Sequence, residues 1–172
     1  IIKGNVDEIK QVTKNFIAST ENKPISAQKV NINQLIEEAL AEVSDLVIGH
    51  RINLEKHLLP TEVYLSLDKK QVKKAIVNLL KNAVEGMQSY PKVLSVSAIN
   101  DSGYYSIFIE DNGVGVKPAT EHQIFEPFFT TKKDAEGLGL TEAERTILAH
   151  KGSITFKPQE VGSLFVISLP IN

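Results

Sequence analysis

Between Asp68 and Met87 the apolar residues Val72, Ala75, Ile76, Leu79, Leu80 and Ala83 return at steps of three and four, the period of a helix that buries one face. Asp68 stands where such a helix needs an N-cap, and Gln71 follows at the capping-box spacing. A polar stripe runs beside the apolar one: Lys74, Asn78, Asn82 and Glu85. Two asparagines a turn apart are either ordinary solvated amides or donors and acceptors aimed at something.

The same patterning divides the rest of the chain. Residues 1 to 20 carry Ile2, Val6, Ile9, Val12 and Phe16 on one helical stripe, which a lone helix cannot bury without a partner helix. Residues 21 to 30 are polar, contain Pro24 and read as a linker. A helix capped by Asn31, with Gln34 three residues on, carries Leu35, Ala39, Val43 and Leu46 or Val47 on one face until Gly49 stops it. Strands are predicted at 51 to 55 and 63 to 67. Two alternating segments, 92 to 99 and 104 to 110, are joined by Asn100-Asp101-Ser102-Gly103, a good hairpin turn. Residues 111 to 137 are glycine-punctuated and show little periodicity. A last helix is predicted from about 139 to 150, with strands at 153 to 157 and 163 to 169. Helices interleaved with hairpin-connected strands predict an α+β fold, a two-layer α/β sandwich with a mixed sheet.

Composition narrows the classes. The 172 residues, 42% hydrophobic and 23% charged, are enough for one well-cored domain and an appended helix. A formal net charge of −2 without a long basic cluster argues against nucleic-acid binding through bulk charge. The absence of cysteine excludes disulfides and thiolate metal sites. No apolar run approaches the roughly 20 residues of a membrane span, so no membrane contact is expected of this chain. It begins without Met, inside a helical pattern, and reads as a piece of a longer protein.

Three segments carry candidate chemistry. Asp111-Asn112-Gly113-Val114-Gly115 directly follows a predicted strand. It is either a simple turn or a carboxylate placed to accept from the exocyclic amine of adenine, with glycines that let the backbone pass close to a base. The stretch HQIFEPFFTTKK, 122 to 133, either plugs the core with its three phenylalanines or carries hydroxyl and ammonium donors on a loop over phosphates. Glu136-Gly137-Leu138-Gly139-Leu140 is a glycine turn ahead of a helix, or an anion site made of first-turn N–H groups.

Together the motifs N-L-L-K-N-A, D-N-G-V-G, F-E-P-F-F-T-T-K and G-L-G-L, then H-K-G and G-S in the last hairpin, resemble the N, G1, F, G2 and G3 boxes of bacterial sensor histidine kinases. These belong to the GHKL ATPase superfamily, whose ATP site has the Bergerat fold, and the F-box wording is most similar to the nitrogen-regulator-like branch. The resemblance implies an ATP-binding catalytic domain at 31–172. It is preceded by the end of a dimerisation hairpin at 1–20 and the linker at 21–30. It implies ATP and Mg2+ as ligands, with Asn82 coordinating the metal, Asn78 facing the same phosphates, and Lys81 and Glu85 flanking them. Asp111 would hold adenine, supported by Ser163, while Gly113 and Gly115 pass close to base and ribose. Phe128, Thr131, Lys132 and Lys133 would belong to a lid, about 116 to 136, and Gly137, Leu138, Gly139 and Leu140 to the phosphate-facing helix start. The expected setting is cytoplasmic, with homodimerisation through the hairpin in the full-length protein and a response regulator as partner.

Hydrolytic members of the superfamily carry a glutamate where this chain has Asn78, and a neutral amide cannot accept a proton from water. Transfer of the γ-phosphate to a histidine is therefore favoured over hydrolysis. His50, His57, His122 and His150 are the only histidines, and none precedes the E/D-x-x-x-P pattern of an acceptor motif, so the acceptor is expected outside this chain. His150 reads as a partner of a helix C-terminus. Two departures stand out: Ala135 where the family usually has a glycine, and Glu142 where it usually has an apolar residue. They keep a nucleotide-binding pseudokinase open beside the kinase, with an ATP-hydrolysing clamp as the lesser rival.

Overall fold

A computed structural model describes residues 24–131 and 136–171. The expected dimerisation helix, Lys132, Lys133 and Ala135 lie outside the described residues. The chain first forms β1 (Gln28–Asn31), α1 (Ile32–Glu42), α2 (Ser44–Gly49), β2 (Asn53–His57), β3 (Tyr64–Leu67) and α3 (Lys69–Gly86). It continues through β4 (Val93–Asp101), β5 (Tyr104–Asp111), a short 3-10 helix (Pro118–Gln123), α4 (Gly139–Ala149), β6 (Ser153–Pro158) and β7 (Ser163–Pro170). Five strands form one sheet in the order β2-β4-β5-β7-β6, with β2 and β4 parallel and the other pairs antiparallel. The helices pack over it, giving the expected α+β sandwich with a mixed sheet.

Strand β1 pairs antiparallel with β3 in a separate two-stranded sheet, Gln28 opposite Leu67 and Asn31 opposite Tyr64. Part of the segment read as linker is thus a strand, invisible to periodicity because only Val30 of its four residues is buried. The predicted helix from Asn31 to Gly49 is broken at Val43, whose φ of −101° and ψ of 4° separate α1 from α2. The strand predicted at 51 to 55 begins at Asn53, because Arg51 turns through φ +53°.

Helix α3 buries more than the predicted stripe. Val77 and Val84 are also sealed, since α1 and α4 both pack on the helix while β5 lies beneath it. The hairpin between β4 and β5 turns through Ser102 and Gly103, φ +53° and +83°, as a two-residue turn with both central φ positive requires. Tyr105, fully buried, donates its hydroxyl to Asn33 Oδ1, and burial pushes its pKa up to about 12. The Asn33 amide in turn donates to Leu59 O and Thr61 O, both at 2.9 Å, tying α1 to the loop before β3.

The cap of α3 joins three parts of the chain. Asp68 Oδ1 accepts from Gln71 N at 3.0 Å, and its Oδ2 accepts from Ser26 N at 3.0 Å. The Gln71 amide donates to Asp68 Oδ2 and to Pro24 O, and its oxygen does not take the Asp68 N–H as a capping box would. That N–H donates instead to His150 Nε2 at 3.0 Å, at the far end of α4. His150 Nδ1 lies 2.7 Å from Thr146 O, so this ring nitrogen carries the hydrogen. His150 therefore sits at a helix C-terminus as expected, but as a neutral ring joining two helices.

Burial opposes ionisation of Asp68, yet the N–H groups of Gln71 and Ser26, the Gln71 side chain and the Lys70 N–H together outweigh it and hold the carboxyl below its ordinary 3.8. A carboxyl with a depressed folded pKa stabilises the protein above its unfolded value, and the contribution is lost as pH falls through the folded one. Asp68→Ala should cost about 1–2 kcal/mol at pH 7, the value of a helix cap. The penalty should be smaller at an acidic pH below the depressed folded pKa, where the wild-type carboxyl is itself protonated. Urea denaturation at both pH values checks this, and an equal penalty at each would contradict it.

Candidate functional site

The outer strip of α3 runs from Lys74 through Asn78 and Asn82 to Glu85, and its two ends meet different parts of the chain. At the far end, Gly86 O accepts from Val114 N at 3.1 Å, so the helix terminus touches the Asp111–Gly115 loop. Nearer the start, Asn78 Nδ2 donates to Gly139 O at 3.1 Å, so the same helix touches the first residue of α4. Asn78 and Gly86 are eight residues apart, about 12 Å along a helix axis. Lys81 and Glu85 are exposed and Asn82 is half-buried between them.

Asp111 ends β5 with only 5% of its surface exposed. Its Oδ1 accepts from Gly113 N at 2.8 Å, which folds the loop back over the carboxylate. Ser163, also buried, is its cross-strand neighbour on β7. Asn112 locks the other side of the loop. Its Oδ1 accepts from Val93 N at 2.8 Å and its Nδ2 donates to Pro91 O at 2.6 Å.

Gly162 was missed as a site residue, although it precedes Ser163 in the last hairpin. Its φ is +85°, and a Cβ there would stand 1.8 Å from Asp111 O and 2.8 Å from the Asn112 Cα. A Cβ on Gly115 would meet Gly162 O at 2.9 Å. The loop, the hairpin and the strand end are in backbone contact, an arrangement no side chain permits.

The phenylalanines of the 122–133 stretch divide as sequence alone cannot tell. Phe125 and Phe129 pack on the core, Phe125 edge-on to Phe165 with ring centroids 6.4 Å apart. Phe128 is 44% exposed with φ +66°. Its N–H donates to Gly137 O at 2.9 Å. Thr131 is exposed. Leu138 is buried and Leu140 packs on the core, so these two anchor the start of α4 through their side chains. Buried Thr141 donates through Oγ1 to Phe125 O at 2.9 Å. Leu138, the N-cap of α4, makes no side-chain capping bond, in contrast to Asn31 on α1 and Asp68 on α3.

This donor set fits a nucleotide. A buried carboxylate at a strand end suits a base amine, and uncapped first-turn N–H groups suit phosphate oxygens. Among the described residues no three His, Asp or Glu side chains cluster as a self-sufficient metal site requires. A side-chain amide oxygen such as that of Asn82 is the kind of hard oxygen donor that Mg2+ takes.

The chain belongs to the family of histidine kinase-, DNA gyrase B- and HSP90-like ATPases, whose model matches residues 67–172. Within it, the chain is similar to sensor proteins. It is 35% identical to sensor protein TdiS of Thauera aromatica over 82% of this chain and 27% of that protein. It is 30% identical to the signal transduction histidine-protein kinase AtoS of Escherichia coli K12 over 100% of this chain and 28% of AtoS. The chain thus spans little more than a quarter of these relatives. Its fold matches the catalytic domain of the histidine kinase ThkA, with a TM-score of 0.77 at 23% identity over 85% of this chain and 96% of that one. A structure of ThkA in complex with response regulator protein TrrA matches with a TM-score of 0.81 at 20% identity, over 100% of this chain and 50% of that one.

Because Gly162 combines positive φ with a backbone approach no Cβ can share, Gly162→Ala should destabilise the fold by about 2–4 kcal/mol. Residual folded protein should lose nucleotide binding, because the Asp111 loop must shift to admit the methyl group. Thermal melts and ADP calorimetry measure both; an unchanged melting temperature would contradict the geometry.

Proposed function

We propose that this domain binds Mg2+-ATP between α3, the Asp111 loop and the start of α4, and donates the γ-phosphate to a histidine on a helical hairpin in two-component signalling. The observation that carries the reading is Asn78. It occupies the position where hydrolytic relatives keep a glutamate, and its amide is engaged with Gly139 O. An amide offers no base to activate water, so this site lacks the group that would make it a hydrolase. Transfer then depends on positioning and charge neutralisation.

In this reading Asp111 accepts the adenine amine, with Ser163 beside it and Gly113 and Gly115 along the base and ribose. Asn82 offers its amide oxygen to the metal. Lys81, Glu85 and Asn78 border the phosphates, and the Gly137–Leu140 backbone with the N–H groups of α4 meets their oxygens. Phe128, Thr131, Lys132 and Lys133 form the lid. Mg2+, when bound, would supply charge neutralisation at the phosphates. Residues 1–20 would belong to the dimerisation hairpin and 21–30 to the linker, the full-length protein being a homodimer that phosphorylates a response regulator at a cytoplasmic face. The sensor-kinase relatives and the ThkA–TrrA complex support that setting. No helix among the described residues is long and apolar enough to cross a membrane. The pseudokinase is weakened on one of its two grounds: Glu142 is not a stranded carboxylate but pairs with Lys74 at 2.8 Å.

The chain should bind Mg2+-ATP, hydrolyse it very slowly and fail to label itself. Adding the helical hairpin that carries the acceptor histidine should yield an acid-labile, alkali-stable phosphoprotein. Rapid hydrolysis by the chain alone would indicate the clamp, and tight binding without transfer to any hairpin the pseudokinase.

Asn82→Ala should weaken Mg2+-ATP more than metal-free ATP, because it removes an oxygen ligand rather than a base contact. Calorimetry with and without Mg2+ decides: equal losses would take Asn82 out of the coordination shell.

A further inference from the structure

Helices α3 and α4 run antiparallel and are pinned at both ends. Asp68 N–H meets His150 Nε2 where α3 begins and α4 ends, and the Asn78 amide meets Gly139 O where α4 begins. Between these lies the ion pair of Lys74 Nζ and Glu142 Oε2 at 2.8 Å, one turn before Asn78 on α3 and one turn after Gly139 on α4. Glu142 is the departure noted in the sequence. Its side chain is 25% exposed and that of Lys74 is 58% exposed.

The first turn of α4 has no side-chain cap. Among the described residues, three polar contacts to other parts of the chain restrain it: Asn78 on Gly139 O, Lys74 on Glu142, and Thr141 on Phe125 O. An apolar contact at 142 would hold the helices together without direction. A charge pair restrains the distance between one point on each helix, and so favours one setting of that turn over others.

We propose that Lys74 and Glu142 are positioning residues, an inter-helix ion pair that presets the first turn of α4 for the phosphates of the nucleotide. This rests on the reading of the site as one for Mg2+-ATP. Neither residue touches the nucleotide; both act through α4. The pair is partly exposed, so its weight on stability is small. Its effect falls on the phosphate end of the site and spares the base end at Asp111.

The test is a double-mutant cycle with Lys74→Met, Glu142→Gln and the double variant, read by calorimetry with Mg2+-ATP and with adenosine, which lacks phosphates. Each single variant should lose about two- to fivefold in Mg2+-ATP affinity, the scale of a partly exposed ion pair. The double variant should lose no more than either single one, because the same interaction is removed in each case. Adenosine affinity should stay within error in all three. The charge swap Lys74→Glu with Glu142→Lys should recover most of the loss. Raised ATP affinity in Glu142→Gln would overturn the proposal, since the pair would then be holding the Lys74 charge away from the phosphates. Losses that add, that extend equally to adenosine, or that the swap fails to recover would overturn it as well, as would variants indistinguishable from wild type. A wild-type chain that binds adenosine but not Mg2+-ATP would instead overturn the underlying reading of the site.

Discussion

Helix α3 has β5 beneath it and α1 and α4 packed along it, so only a narrow polar strip of the helix faces outward. Everything in the candidate site is arranged along that strip. Its far end meets the Asp111 loop through Gly86, and its middle meets α4 through Asn78. A helix locked by the packing of Leu79, Leu80 and Ala83 cannot roll, so the strip is held in register with both neighbours. The proposed base end and phosphate end therefore share one rigid ruler.

The two ends are built by different means. At the base end, backbone meets backbone: Gly162, Gly115 and the Asp111–Asn112 peptide approach more closely than any side chain permits. At the phosphate end the contacts are between side chain and backbone or between charges, with Asn78 on Gly139 O, Lys74 on Glu142 and Thr141 on Phe125 O. The first kind of contact is stiff. The second can rearrange at modest cost, which suits a segment that must admit and release a charged ligand.

The Asp68 cap couples the segment ahead of the domain to this ruler. Through Ser26, Gln71 and His150 it ties residues 24–26, the start of α3 and the end of α4 to one carboxylate and its own N–H.

Local pattern carried much of this. The period of Val72 to Ala83, the Asp68 and Asn31 caps, the Ser102-Gly103 turn and the alternation in β4 and β5 are short-range properties, set by residues within a few positions of one another. They determined the helices, the hairpins and the α+β class, and motif order brought the family with them. What sequence could not supply were the contacts between residues far apart in the chain. The exposed edges of β1 gave no alternation, so its pairing with β3 was decided by where α1 and α3 placed the two segments. Whether Phe125, Phe128 or Phe129 turned inward depended on the space left beside Phe165. Glu142 read as a carboxylate out of place until the antiparallel helices brought Lys74 to it, 68 residues away in the chain, because a charge is compensated by proximity in space and local sequence does not record that distance.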